Sequence, residues 1–131
     1  MNNEDKIQIL VLDDEIIVLK RLGPVLQKAG YDVELFSQSS EASRRIMERT
    51  FDIVITDLKM EGLDGMQFLT QVKERSPKTE VIVITGFATM GTAKESFQKG
   101  VFDFLAKPFK LGEILETVKN AEKKIRKEGA A

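Results

Sequence analysis

Five short apolar runs alternate with five stretches in which apolar residues recur every three or four positions. Ile7 to Leu12 is apolar apart from Gln8, Ile53 to Ile55 is wholly β-branched, and Val81 to Ile84 is wholly apolar. Val33 to Phe36 contains Glu34, and Phe102 to Ala106 contains Asp103. Runs of this length predict strands, and the three without an interruption by acid have the pattern of strands buried on both faces. Between them lie Leu19, Leu22, Leu26 and Ala29; Ala42, Ile46 and Met47; Met66, Leu69 and Val72; Met90, Ala93 and Phe97; and finally Ile114, Val118, Ala121 and Ile125. Their spacing predicts amphipathic helices.

Strict alternation of strand and helix implies an α/β, doubly wound parallel sheet with right-handed crossovers and helices on both faces. The two acid-bearing strands suit the edges and the other three the interior. Strand order 2-1-3-4-5, a flavodoxin-like three-layer sandwich, satisfies that sorting. Gly30 should close the first helix. Gly23-Pro24 interrupts its pattern, and an internal proline costs on the order of 3 kcal/mol, so a kink is expected in a helix that nevertheless continues. Ser39 and Ser40 are placed to cap the second helix. The third should end near Ser76-Pro77, and the fourth, with a thin stripe and Gly91 inside it, should be the least firmly held.

The 131 residues fit one domain, residues 5–125, followed by a charged tail or the start of a linker at 126–131. A net charge of -1 gives no general attraction to nucleic acid or anionic membrane. The basic run Lys119, Lys123, Lys124, Arg126 and Lys127 is interleaved with Glu116, Glu122 and Glu128 and reads as a solvated helix face, or else as the start of a linker to an output domain. Absence of Cys and His excludes disulfides, thiol nucleophiles, ordinary zinc sites and imidazole bases. The chemistry must come from carboxylates, hydroxyls and amines. Without a signal-peptide charge pattern at the N-terminus or an apolar run long enough to span a membrane, a cytoplasmic protein is expected.

The organising stretch is Phe51 to Gly65, where the third strand stops at Thr56-Asp57 and Gly62, Asp64 and Gly65 call for a turn. Asp57 should therefore stand at the carboxyl edge of a parallel sheet, where open α/β folds place their ligands. Asp13 and Asp14 end the first strand, Thr85 the fourth and Lys107 the fifth. Each has an ordinary reading taken singly: strand-end Asp as turn former, Thr85 as a capping hydroxyl, Lys107 as a solvated lysine, and Phe104, Met66 and Phe68 as core. Together, three carboxylates suit Mg²⁺, which prefers oxygen ligands. A cation, an ammonium and a hydroxyl around a carboxylate nucleophile, Asp57, are what phosphoryl transfer requires.

These residues carry a resemblance. L-D-D-E follows the first strand, D-L-K-M-E-G-L-D-G the third, T-G-F-A the fourth, and F-D-F-L-A-K-P-F lies in the fifth. The chain resembles the response-regulator receiver domain of bacterial two-component systems, closest in motif to receivers of sigma-54-dependent activators. The resemblance implies Asp57 as the phosphoacceptor, becoming 4-aspartylphosphate. It implies Asp14 as direct Mg²⁺ ligand, Asp13 helping through water, and Lys59 adding its backbone carbonyl. Lys107 would pair with the phosphoryl group, and Thr85 and Phe104 would form the switch. Glu61 departs from the proline common at its position.

The partners implied are a sensor histidine kinase or histidine phosphotransfer protein, a homodimer on activation and a C-terminal output domain acting in transcription, with no direct nucleic-acid or membrane contact. The chain would be no enzyme beyond its own phosphoryl transfer and slow self-dephosphorylation, with Lys59 and Phe87 at the pocket mouth. Two rivals remain: a Mg²⁺ phosphatase of the haloacid dehalogenase type, which would need an Asp where Lys59 stands, and a receiver-like module that is never phosphorylated. For Lys107 to reach inward while Phe109 turns back, a cis Lys107-Pro108 bond is expected.

Overall fold

The computed structural model describes residues 6–58 and 65–130. Its elements run β1 (Gln8–Leu12), α1 (Ile16–Lys28), β2 (Asp32–Phe36), α2 (Ser39–Glu48), β3 (Ile53–Thr56), α3 (Gly65–Arg75), β4 (Glu80–Thr85), α4 (Met90–Gln98), β5 (Asp103–Ala106) and α5 (Leu111–Ala130). The five strands are all parallel, in the order β2-β1-β3-β4-β5. The strands with an acid inside the apolar runs read from the sequence, Glu34 in β2 and Asp103 in β5, are the edges, while interior β4 carries its one acid, Glu80, at its first residue.

The period-2 alternation of the interior strands divides the core into two layers. Ile9, Val11, Ile53, Ile55, Ile82 and Ile84 face α1 and α5, meeting Leu19, Leu22, Leu26, Ile114, Val118 and Ala121. Leu10, Leu12, Val54, Val81 and Val83 face the other way, onto Ala42, Ile46, Phe68, Leu69 and Val72 of α2 and α3. A strand whose successive side chains enter opposite layers is apolar through its middle, which is why Ile9 to Leu12, Ile53 to Ile55 and Val81 to Ile84 carry no polar residue.

Pro24 lies inside α1, which continues to Lys28. Proline sits on the exposed side, so the carbonyl it leaves unbonded is available to water. Gly23 is buried, and a Cβ there would come within 2.8 Å of Leu35 Cδ1. The glycine thus lets the helix approach β2 closely. The cap of α2 differs from the sequence expectation: the N-cap is Gln38, without a side-chain cap bond, and Ser39 is already the first helical residue and buried. Residues 126–130, expected as tail or linker, form the last turns of α5, where Arg126 Nε donates to Glu122 Oε2 at 2.7 Å. In α4 Ser96 is the buried residue, whereas Met90 is 91 % and Phe97 51 % exposed.

Glu34 on edge strand β2 accepts from Arg45 Nε at 2.8 Å and Arg45 Nη2 at 3.0 Å, with Arg49 Nη1 at 3.3 Å. The Arg45 fork, aided by the charge of Arg49 and opposed by burial, holds the Glu34 carboxyl below its ordinary value. A depressed carboxyl contributes stability above its unfolded pKa and loses it as pH falls through the folded value. Glu34→Gln should therefore lower the melting temperature modestly near neutrality and flatten its fall below about pH 4. Parallel wild-type and variant melting curves across that range would refute this assignment.

Candidate functional site

The strand ends meet at one edge because the backbone register brings them there. The Asp13 N–H donates to the Phe36 carbonyl at 3.1 Å, the Asp57 N–H to the Leu12 carbonyl at 3.1 Å, and the Lys107 N–H to the Thr85 carbonyl at 2.8 Å. These bonds extend the sheet pairing one residue past β1, β3 and β5 and fix the main chain from which the polar side chains project. The Lys107–Pro108 peptide is cis, as the reversal before Phe109 requires.

Lys107 Nζ is the centre of the cluster. It lies 2.8 Å from Asp57 Oδ2, 2.8 Å from Asp13 Oδ2 and 2.6 Å from Glu15 Oε1. Asp13 is fully buried, Asp57 nearly so, and Asp14 exposed. Burial pushes the Asp13 carboxyl above its ordinary value, with the Asp57 charge adding to the effect; Lys107 and the Glu15 N–H oppose it. For Lys107 burial works downward, and the three carboxylates outweigh it, so its ammonium is held above the ordinary lysine range. One ammonium thus faces three acids.

Asp13, Asp14 and Asp57 each offer an oxygen, all within 4.8 Å of one another. Asp13 Oδ2 is buried and, although Lys107 is near, makes no hydrogen bond of acceptable geometry. An under-satisfied buried carboxylate in an oxygen-only, net-negative cluster is the donor set that a hard divalent cation such as Mg²⁺ prefers. The residues present fit the cation.

Thr85 is fully buried, and its hydroxyl accepts the Phe87 N–H at 3.0 Å. The Phe87 carbonyl in turn accepts from Thr92 Oγ1 at 2.9 Å, and Thr92 forms a reciprocal capping box with Thr89 at the start of α4. Phe104, paired in register with Val83, is partly buried against the α2–α3 layer, and Phe87 is about half exposed. Lys59 and Glu61 lie outside the described residues.

Two features were missed in the sequence. Glu15, present in the sequence only as the last residue of L-D-D-E, sends its carboxylate across to Lys107. Gly65 was read as a turn former, but its role is close approach: its N–H donates to the Leu58 carbonyl at 3.0 Å, and a Cβ would lie 2.5 Å from Leu58 Cα and against the Asp57 carbonyl oxygen. A glycine opening a helix after a strand-end acid was the available signal.

A doubly wound sheet with an aspartate cluster and a lysine at the ends of β1, β3 and β5 defines a phosphoacceptor signalling module of the two-component class. Residues 9–119 match the model of the response regulator receiver domain, and the chain belongs to that family. It is 33 % identical over 125 residues to the transcriptional regulatory protein ZraR of Salmonella typhimurium, covering 95 % of this chain and 28 % of that protein. It is 32 % identical over 113 residues to the DNA-binding transcriptional regulator NtrC of Escherichia coli K12, covering 86 % and 24 %. The chain thus spans about a quarter of the length of these relatives. Among solved structures, it is similar to the beryllofluoride-activated NtrC4 receiver domain dimer, with TM-score 0.84, 36 % identity, and coverage of 90 % of this chain and 98 % of that one. It is also similar to a CheY-like receiver from Methanospirillum hungatei, with TM-score 0.90, 25 % identity, and coverage of 95 % and 99 %.

Proposed function

We propose that this domain is a phosphorylation-driven switch in which Asp57 takes a phosphoryl group from a phosphohistidine on a sensor kinase or phosphotransfer protein. The observation that carries the reading is the placement of Lys107 Nζ 2.8 Å from both Asp57 and Asp13. An oxygen of Asp57 forms the new P–O bond as the P–N bond to the donor imidazole breaks. Lys107, already at Asp57, is positioned to neutralise a phosphoryl oxygen as charge spreads over the equatorial positions. Asp14 directly, Asp13 through water, Asp57 and the Lys59 backbone carbonyl would hold Mg²⁺. When bound, that ion supplies a Lewis-acid counter-charge to the phosphoryl oxygens.

The output is the α4–β5–α5 face. Thr85 is the donor that turns to the phosphoryl group and Phe104 the ring that follows it. The weak anchoring of α4 and the bond sequence from Thr85 through Phe87 to the α4 cap support this reading. A coupling of about 1 to 3 kcal/mol is enough to shift such an equilibrium. The downstream event is control of a C-terminal output domain or a second copy of this chain, in transcription, without direct nucleic-acid contact by this domain. The relatives' names, the dimeric state of the activated NtrC4 receiver and the motif resemblance support it. Among the described residues no helix is long and apolar enough to cross a membrane, and a cytoplasmic setting agrees with the proposed donors. Self-dephosphorylation is slow, since Phe87 and Lys59 bring no carboxylate or amide to orient water.

Intact-mass measurement tests the central claim. Incubated with acetyl phosphate and Mg²⁺, the protein should gain one phosphoryl group, and excess chelator should prevent it. Equal labelling without divalent cation would refute the proposed site.

A further inference from the structure

Glu15 is the N-cap of α1, a position that favours Ser, Thr, Asp or Asn, and its side chain makes no cap hydrogen bond. It goes instead to Lys107, 92 residues away, at 2.6 Å. Its backbone is fixed independently, since its N–H donates to Asp13 Oδ1 at 2.8 Å. A closed ring results: Glu15 N–H to Asp13 Oδ1, Asp13 Oδ2 facing Lys107 Nζ, and Lys107 Nζ to Glu15 Oε1. Asp13 and Asp57 are buried partners of the ammonium, whereas the Glu15 side chain is 55 % exposed. It is the one of the three carboxylates with ready access to water, and so the one most easily displaced.

The geometry points to Glu15 as a positioning residue that occupies Lys107 in the unphosphorylated domain and must give it up to the phosphoryl group. This rests on the reading of Asp57 as phosphoacceptor. Three carboxylate oxygens crowd the ammonium within 2.8 Å: Glu15 and Asp57 accept hydrogen bonds from it, and Asp13 Oδ2 stands against it as an ion-pair partner. A phosphoryl oxygen can therefore reach Lys107 only by displacing one of them. Displacing buried Asp13 would strand a carboxylate already short of hydrogen bonds, while Glu15 swings into water. Glu15 thus sets a threshold on charging: it stabilises the empty site and so disfavours occupation by the phosphoryl group.

Two measurements test this with Glu15→Gln and Glu15→Asp, the latter keeping the charge but shortening the reach. In metal-free protein, the Lys107 ammonium resonance in a ¹H–¹⁵N spectrum should shift and exchange faster with solvent in both variants. With Mg²⁺, beryllofluoride should bind Glu15→Gln roughly three- to tenfold more tightly than wild type, from loss of one charge-assisted hydrogen bond in the empty state alone. A role confined to helix stability would lower the melting temperature and leave both readouts unmoved. An unchanged Lys107 resonance, or beryllofluoride affinity equal to or weaker than wild type, would overturn the inference. Failure of the wild type to bind beryllofluoride would instead count against the phosphoacceptor reading, and the metal-free resonance would still decide the Glu15 contact.

Discussion

Asp57→Asn protein, incubated with Mg²⁺ and acetyl phosphate, will keep its unmodified mass under conditions that fully label the wild type. The amide oxygen can still accept from Lys107, so the contact now 2.8 Å long has a neutral replacement and the fold has no reason to fail. What is lost is the anionic nucleophile. The neutral amide oxygen is a far weaker nucleophile than a carboxylate, and removing a covalent nucleophile costs at least about 10³-fold in rate. The variant also removes one of three acids crowded around a single ammonium, so its melting temperature should equal or exceed that of the wild type. A labelled, well-folded Asp57→Asn protein would move the phosphoryl group to another residue and overturn the assignment.

The second large effect belongs to Lys107. Its replacement by Ala removes the ammonium that Asp13 and Asp57, both buried, now face, and removing one partner of a buried ion pair costs about 3 to 5 kcal/mol. The loss should be largest in metal-free protein. A divalent cation among the same carboxylates restores the missing charge, and ligands that bind only the folded state stabilise it by mass action. Added Mg²⁺ should therefore raise the melting temperature of Lys107→Ala by more than that of the wild type, whose ammonium repels the ion. Melting curves with and without Mg²⁺ provide the check. Equal Mg²⁺ shifts in the two proteins would mean that Lys107 and the cation do not share these acids.

Strand order was legible because an interior strand of a parallel sheet is buried on both faces and is apolar through its middle, with polar residues such as Thr56, Glu80 and Thr85 standing at its ends. Glu34 and Asp103 marked the edges, and the uninterrupted runs at Ile53 and Val81 marked the middle. Convergence of Asp13, Asp14, Asp57 and Lys107 was legible for the same reason, since parallel strands bring their carboxyl ends to one edge. The reach of Glu15 was not, because nothing in local spacing says where a flexible, exposed side chain will find a partner 92 residues away. Nor was the cap of α2: Ser39 and Gln38 are adjacent, and the tertiary burial of Ser39 decides which of them begins the helix. The extension of α5 through residues 126–130 depends on half-buried Ile125 and the Glu122–Arg126 pair, which continue the helical face past the point where the apolar stripe thins.

Gly65 gives the reactive edge a mechanical asymmetry. Where α3 begins, its main chain rests on the peptide groups of Asp57 and Leu58 with no side chain between them, and peptide planes do not compress or change rotamer. Phe68, Leu69 and Val72 then clamp the helix into the core. On that side Asp57 is braced by a strut. Across the edge, α4 is tied chiefly through Ser96 and a run of threonine hydroxyls. Under the proposed phosphorylation of Asp57, a push at that residue should meet unequal stiffness in the two directions, with the strut resisting on the α3 side and the displacement expected on the compliant α4 side.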